Sequence, residues 1–259
     1  MEPLQVTRAE GILEVVVDRP KANAIDSATS REMGRIFSEF RDDPSLLVAI
    51  VTGAGERFFC AGWDLKDIAG AGGADYDLGI GGWAGLQELP GLNKPVIVAV
   101  NGMALGGGFE LALCGDFILC ARGARFSLPE IRAGILADGA TIKLRRRIPY
   151  HVAVDLLMTG RWMEAEEAMR WGLVRSIHEP DQLREAAWEL ARELASGPPL
   201  LAPAIKEVLR LTEEMEVQAA FDLLNGGAVE SVRTLYQSED FLEGARAFAE
   251  KRDPVWKGR

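Results

Sequence analysis

Two glutamates stand near runs of glycine in a chain with few other reactive side chains. The stretch Asn101-Gly102-Met103-Ala104-Leu105-Gly106-Gly107-Gly108-Phe109-Glu110-Leu111 reads as an apolar strand, a triple glycine, then a helix with a carboxylate in its first turn. Glycines let backbone amides approach a ligand closely, and amides at a helix start favour negative charge. Phe59-Cys60-Ala61-Gly62-Trp63-Asp64-Leu65-Lys66 has the same strand, glycine, helix order. Glu130, in Leu128-Pro129-Glu130, offers a second carboxylate. Two crowded carboxyl groups separate into one proton donor and one acceptor near neutral pH, which is the equipment of general acid–base catalysis. A plainer arrangement fits the spacing as well, with the glycines in tight turns, Glu110 capping a helix and Glu130 on the surface.

Other chemistries find little material. The two histidines, His151 and His178, fall outside any metal-ligand or triad spacing. The three cysteines, Cys60, Cys114 and Cys120, form no CxxC and no even disulfide set. No metal and no permanently bound cofactor are expected. Neither a P-loop nor a complete GxGxxG is present. A net charge of −10 leaves no overall basic footprint for nucleic acid, although a local basic patch would still suit a phosphorylated ligand. No apolar run reaches the ~18 residues of a membrane span, and Met1-Glu2-Pro3-Leu4 has no leader character. The expectation is a cytoplasmic protein that engages no membrane.

The elements that must position the glutamates follow from the apolar pattern. Ile12 to Val17, Val48 to Val51, Pro95 to Val100 and Phe117 to Ala121 are compact apolar runs. Strands of this kind, separated by helices, predict parallel pairing with both faces covered. Asp26 or Ser27 is placed to cap a helix running to about Arg41. The segment from Ala69 to Gly82 is small-sided and acidic, which suits either a lid or a solvated loop. After Ala140 the pattern turns helical, and Gly197-Pro198-Pro199 breaks it. This divides the α/β chain into a core over 1–196 and a helical region over 197–259.

Five segments, in order, carry a specific resemblance. Arg19-Pro20-Lys21-Ala22-Asn23-Ala24, Cys60 to Lys66, Gly106 to Glu110, Pro129-Glu130, and Thr159-Gly160-Arg161 through Gly172-Leu173-Val174 together resemble the enoyl-CoA hydratase/isomerase superfamily. The resemblance implies the crotonase fold, a spiral of ββα-type turns with a helical C-terminal region that forms trimers or hexamers. It implies an acyl-CoA thioester as substrate, with coenzyme A arriving as part of it. It implies an oxyanion hole from the amides of Trp63 and Gly107, with Glu110 activating water and Glu130 exchanging the α-proton. It implies CoA contacts from Lys21, Ala22, Ala24, Ala61, Asp64, Leu65 and Lys66, with Phe248 and Lys251 supplied by a neighbouring subunit.

Four stretches, Asp18 to Asp26, Phe40 to Pro44, Ala61 to Lys66 and Glu250 to Arg259, are similar to a dehydratase branch of that family whose acyl group ends in a trimethylammonium. Such a cation binds over aromatic faces, and Trp63, Tyr76, Trp83 and Trp162 fall in or near the implied active-site segments. Trp83, swung by the glycines around it, and Asp138 are the expected pocket residues for the acyl end, with Asp75 and Asp77 adding weak attraction. One departure stands out. Where the family has a proline and paired glycines, this chain has Ala137, Ala140 and Thr141, which predicts a narrower pocket. A hydratase of ordinary short-chain enoyl-CoAs, an isomerase, or a catalytically weak scaffold protein are the alternatives to a dehydratase.

Overall fold

Apolar runs that do not alternate demand cover on both faces, and the chain meets that demand with two sheets and a helical layer. The computed structural model describes residues 2–64 and 77–259. Six strands form the larger sheet: β1 (Leu4–Ala9), β2 (Ile12–Val17), β3 (Val48–Gly53), β5 (Val96–Val100), β7 (Phe117–Ala121) and β10 (Ser176–His178), in that spatial order. The smaller sheet holds β4 (Phe58–Cys60), β6 (Met103–Leu105), β8 (Arg125–Ser127) and β9 (Met163–Glu164). The pairs β3/β4, β5/β6 and β7/β8 each place one strand in the large sheet and the next in the small one. Pairing between successive turns is parallel in both sheets. That repeat is the spiral the sequence predicts, and Val15, Val51, Val98 and Ile118 lie in one register across it.

The two faces of the large sheet feed separate cores. Val15, Val51, Val98 and Ile118 face the small sheet and the helix α1 (Ser27–Asp42). Asp26 caps α1 by accepting the Thr29 N–H at 2.8 Å, and Met33, Ile36, Phe37 and Phe40 line its buried stripe. Burying each such side chain contributes about 1.5–3 kcal/mol. Ile12, Ile50, Ile97 and Leu119 point the other way, against Leu183, Ala187, Leu190 and Ala191 of a later helix, Leu183–Ala195.

The strands at Ile12–Val17 and Phe117–Ala121 fall where the sequence predicts them, whereas β1, β4, β6, β8, β9 and β10 carry no comparable sequence signal. Most of these are two or three residues long, too short to express a period of two. In β1 only Leu4 is buried. The region 201–250 holds four helices, Leu201–Thr212, Val217–Asn225, Glu230–Gln237 and Glu243–Glu250. The first three share a small apolar cluster of their own around Ala204, Val229 and Val232. Ion pairs tie them to the core, including Lys206 to Asp116 at 2.7 Å and Arg146 to Glu213 at 3.1 Å. Ile205, Leu209, Val217, Phe221 and Phe248 are exposed on this layer.

One charge is buried in the sheet itself. Glu14 in β2 is 0% exposed, and it accepts hydrogen bonds from Arg184 at 2.6 and 2.8 Å and from the Trp188 indole at 2.9 Å. Burial pushes its carboxyl up, but those bonds and the Arg184 charge outweigh it, so the group titrates below its ordinary value. A depressed carboxylate contributes stability above its unfolded pKa and loses it as pH falls through the folded value. Arg184→Met should therefore lower urea-unfolding stability at pH 7 by about 2 kcal/mol. Arg184 is largely exposed, which keeps that figure modest. The gap to wild type should narrow on acidification below about pH 4.

Candidate active site

The site forms where the second and third turns of the spiral touch. Strand β6 ends at Leu105, and Gly106 turns the chain with φ of +54°. A helix, α2 (Gly107–Ala112), begins at once. A Cβ on Gly106 would fall 2.4 Å from Glu130 Oε1, so the turn and the carboxylate occupy adjacent space. Strand β4 leads into Ala61 and Gly62, and a Cβ on Gly62 would lie 3.0 Å from the Gly107 nitrogen. The two glycine segments thus approach backbone to backbone. Trp63 is held by a bridge to Ile25, in which Ile25 N–H donates to Gly62 O and Asp64 N–H to Ile25 O, both at 2.9 Å. Gly107 N–H belongs to the first turn of α2, where a helix offers no internal acceptor.

These backbones open on a cavity of about 470 Å³. Both glutamates line it, as do Trp63, Trp83, Asp138, Ile135 and Leu136. Glu110 is 6% exposed, and its Oε1 accepts the Ala140 N–H at 2.9 Å. Burial raises its carboxyl to about 7; the Ala140 hydrogen bond and Lys143 oppose this, while the charges of Asp138 and Glu130 reinforce it. Glu130 opens the short helix α3 (Glu130–Ala133). Burial raises its carboxyl too, against a hydrogen bond from its own backbone and with help from Asp138. Its Oε2 is buried without a hydrogen-bond partner among the described residues. Two carboxyl groups with raised proton affinity beside backbone donors can hand protons to and from a ligand in the cavity.

Comparison with known proteins places the chain in a family. Residues 7–259 match the family model described as enoyl-CoA hydratase/isomerase. The chain belongs to that family. It is 53% identical over 259 residues to a carnitinyl-CoA dehydratase of Escherichia coli K12, covering 100% of this chain and 99% of that one. A carnitinyl-CoA dehydratase of Proteus mirabilis is 51% identical over the same shares. Among solved structures, an enoyl-CoA hydratase of Mycobacterium marinum superposes with a TM-score of 0.90 at 37% identity, covering 100% of both chains. One from Mycobacterium tuberculosis gives 0.88 at 37% identity, again with 100% of both covered. The chain has the crotonase fold of an enoyl-CoA hydratase and is a hydro-lyase.

The expected CoA contacts divide into three groups. Ala22, Ala24, Ala61 and Asp64 are drawn together: Ala61 N–H donates to Ala22 O at 3.0 Å, and Arg19 bonds Ala24 O and pairs with Asp26 and, at 3.6 Å, with Asp64; Lys21 is exposed beside them, and of the five Ala61 alone lines the cavity. Asn23 fixes that turn by donating to Ala54 O and Phe58 O, each at 2.9 Å. Leu65 and Lys66 lie outside the described residues, as do Asp75 and Tyr76. Phe248 and Lys251 sit on and just after the last helix, do not line the cavity, and Phe248 is 88% exposed. Among the described residues no cluster could hold a metal ion, and no helix is long and apolar enough to cross a membrane.

Two expectations need correction. Trp83 lines the cavity but is not on a hinge: it is 5% exposed. Its indole N–H donates to Gly107 O at 2.8 Å, and its ring packs on Trp63 with centroids 5.4 Å apart. The glycines beside it let the turn press against α1, where a Cβ on Gly85 would fall 2.2 Å from Gly34 N. Second, Ala137, Ala140 and Thr141 do not narrow the cavity. Ala137 and Ala140 are buried, and Thr141 turns back to donate to Ala137 O at 2.7 Å. Asp77 accepts the Gly79 N–H at 2.9 Å and does not itself line the cavity. Sequence reasoning missed Gln87, Glu88, Arg132, Ile135 and Leu136 in that wall. It also missed the Ala140 amide, a backbone donor that no residue type reveals.

A Cβ on Gly107 would lie 2.7 Å from the Trp83 ring. Gly107→Ala should push the indole aside and destabilise the fold by about 1–3 kcal/mol. Thermal melting and the tryptophan emission maximum report this, and both should move. Unchanged values would mean that the ring is not held at that contact.

Proposed function

We propose that the chain catalyses the reversible hydration of crotonobetainyl-CoA to carnitinyl-CoA. The observation that carries this is the convergence of Glu110, Glu130 and the Gly62–Trp63 and Gly107 backbones on one cavity. The thioester oxygen accepts hydrogen bonds from the Trp63 and Gly107 amides. Ionised Glu110 takes a proton from water as the water oxygen bonds to the β-carbon. The double-bond electrons move towards the thioester oxygen, and protonated Glu130 returns a proton to the α-carbon. Dehydration retraces these steps, with Glu130 removing the α-proton and Glu110 protonating the departing hydroxyl. One preorganised oxyanion donor is worth about 10²–10³ in rate.

The substrate assignment draws on the dehydratase relatives and on the character of the wall. Trp63 and Trp83 supply aromatic surface, and the Asp138 carboxylate stands near them in the same cavity. A trimethylammonium suits that lining. Coenzyme A runs along the rim of Lys21, Ala22, Ala24, Ala61 and Asp64, continuing to Leu65 and Lys66. Phe248 and Lys251 complete its site from a neighbouring copy in a trimer or hexamer. The exposed apolar side chains of 197–259, which act as the assembly region, favour that arrangement. No other cofactor enters this scheme.

Glu110→Gln and Glu130→Gln should each lower turnover on crotonobetainyl-CoA by about 10²-fold or more, with thioester affinity retained. Near wild-type turnover in either variant would remove that residue from the mechanism. The active dyad holds one proton, and it titrates as a pair. Since hydration neither takes up nor releases a proton overall, kcat/KM must have the same pH profile in both directions. Both should fall as pH rises past about 7, where burial sets the loss of the Glu110 proton.

Trp83→Leu separates the substrate from the reaction. It removes the bond to Gly107 O for every thioester, so all rates should drop. The ratio of kcat/KM for crotonobetainyl-CoA over crotonyl-CoA should fall as well. A desolvated cation over an indole gains ~2 kcal/mol, so the fall is up to about 30-fold. An unmoved ratio would withdraw the cationic substrate and leave the hydratase reading in place.

A further inference from the structure

Lys143 is half-buried and ends the helix Asp138–Lys143, whose first turns supply Asp138 to the cavity and the Ala140 amide to Glu110. Its ammonium donates to the Gln87 carbonyl oxygen at 2.9 Å and to Cys114 Sγ at 3.4 Å. Gln87 belongs to the cavity wall next to the Trp83 turn, and its amide donates to Asp138 Oδ1 at 3.4 Å. Cys114 follows the C-terminal end of α2 and donates to Glu110 O at 3.3 Å. Three separate segments around Glu110 therefore meet at one ammonium.

The charges acting on Glu110 come from the helix Asp138–Lys143 and from Glu130. Glu130 and Asp138 add negative charge and Lys143 opposes them. Cys114 contributes none, because burial pushes its thiol above the usual range despite the nearby Lys143 and Arg147. Arg147 is itself turned to Gly115 O, at 2.8 Å.

We propose that Lys143 is a positioning residue for Glu110: it ties the Ala140 helix to the Gln87 and Cys114 segments, and its charge offsets those of Glu130 and Asp138. A Coulomb partner is felt strongly across a poorly solvated gap. Removing it lets Glu110 hold its proton to higher pH. The catalytic consequence rests on the reading of Glu110 as the water-activating group. The effect on Glu110 itself is measurable without turnover.

The test is an infrared titration of the protonated Glu110 carboxyl band, assigned by its loss in Glu110→Gln, in parallel with the pH profile of kcat/KM. In Lys143→Met the band midpoint should rise by about half a pH unit or more. Lys143→Gln, which keeps a donor for Gln87 O without the charge, should move it the same way, and it carries the test if the methionine variant does not fold. Lys143→Arg should hold the midpoint near the wild-type value. The alkaline limb of kcat/KM should follow the band. A midpoint that stays put in folded neutral variants overturns the inference, as does an arginine variant that shifts as far as methionine. A band that moves without the kinetic limb upholds Lys143 and instead sinks the role given to Glu110.

Discussion

Gly62 and Gly107 come so close that a side chain on either would strike backbone or the Trp83 ring, and the rest of the site is arranged around that approach. The two turns of the spiral bring their strand ends to the same level, and only residues without a Cβ let the amide-bearing segments meet. Once they meet, the Gly106 turn leaves space for the Glu130 carboxylate, and α2 starts at the cavity wall. The Trp83 indole closes the arrangement from the side through its bond to Gly107 O. Backbone donors fixed in this way need no reorganisation when charge develops on a ligand. The sheets behind them, buried on both faces, supply the rigidity.

Burial then sets the electrostatics. Glu110 is almost fully enclosed, and enclosure penalises its charged form more than the Ala140 amide favours it. Glu130 is less enclosed and shifts in the same direction. Two carboxyl groups that both resist ionisation, in one cavity, favour a state with a single shared proton. In the proposed mechanism that state serves water addition or water loss without rearrangement, because the proton can start on either partner. The contrast with Glu14 is instructive. It is no more exposed than Glu110, yet a guanidinium and an indole N–H hold its carboxyl below the ordinary value. The difference lies in the donors provided, since burial alone would neutralise both.

Much of this was legible in the sequence. Gly62 before Trp63, the glycine run before Glu110, the Pro129-Glu130 pair and the apolar runs of β2, β3, β5 and β7 carry strong local signals, because close approach and two-sided burial restrict residue type. Short strands such as β4 and β6 leave no such trace, since their partners are distant in sequence. Two misreadings share a cause. The glycines around Trp83 resemble a hinge when read alone, but they are needed for contact with α1, a partner about fifty positions earlier. The changed residues Ala140 and Thr141 look like pocket fillers until their side chains are seen to turn into the core and back along their own helix.

That last point bears on why the segment tolerates change. What it supplies to Glu110 is the Ala140 N–H, which any residue except proline would offer. The requirement falls on the position of the helix, and position is set by groups at its two ends: Asp138, bonded by Gln87, and Lys143, bonded to Gln87 O and Cys114. A motif written in side chains thus misses the constraint, which is written in backbone. Replacing glycine by alanine at 140 keeps the donor, fills a site that is buried in any case, and leaves the cavity to be shaped by Asp138, Ile135 and Leu136. Under the proposed mechanism residues of that wall are free to vary with the acyl group, while the amides and carboxylates assigned to the thioester stay where the spiral puts them.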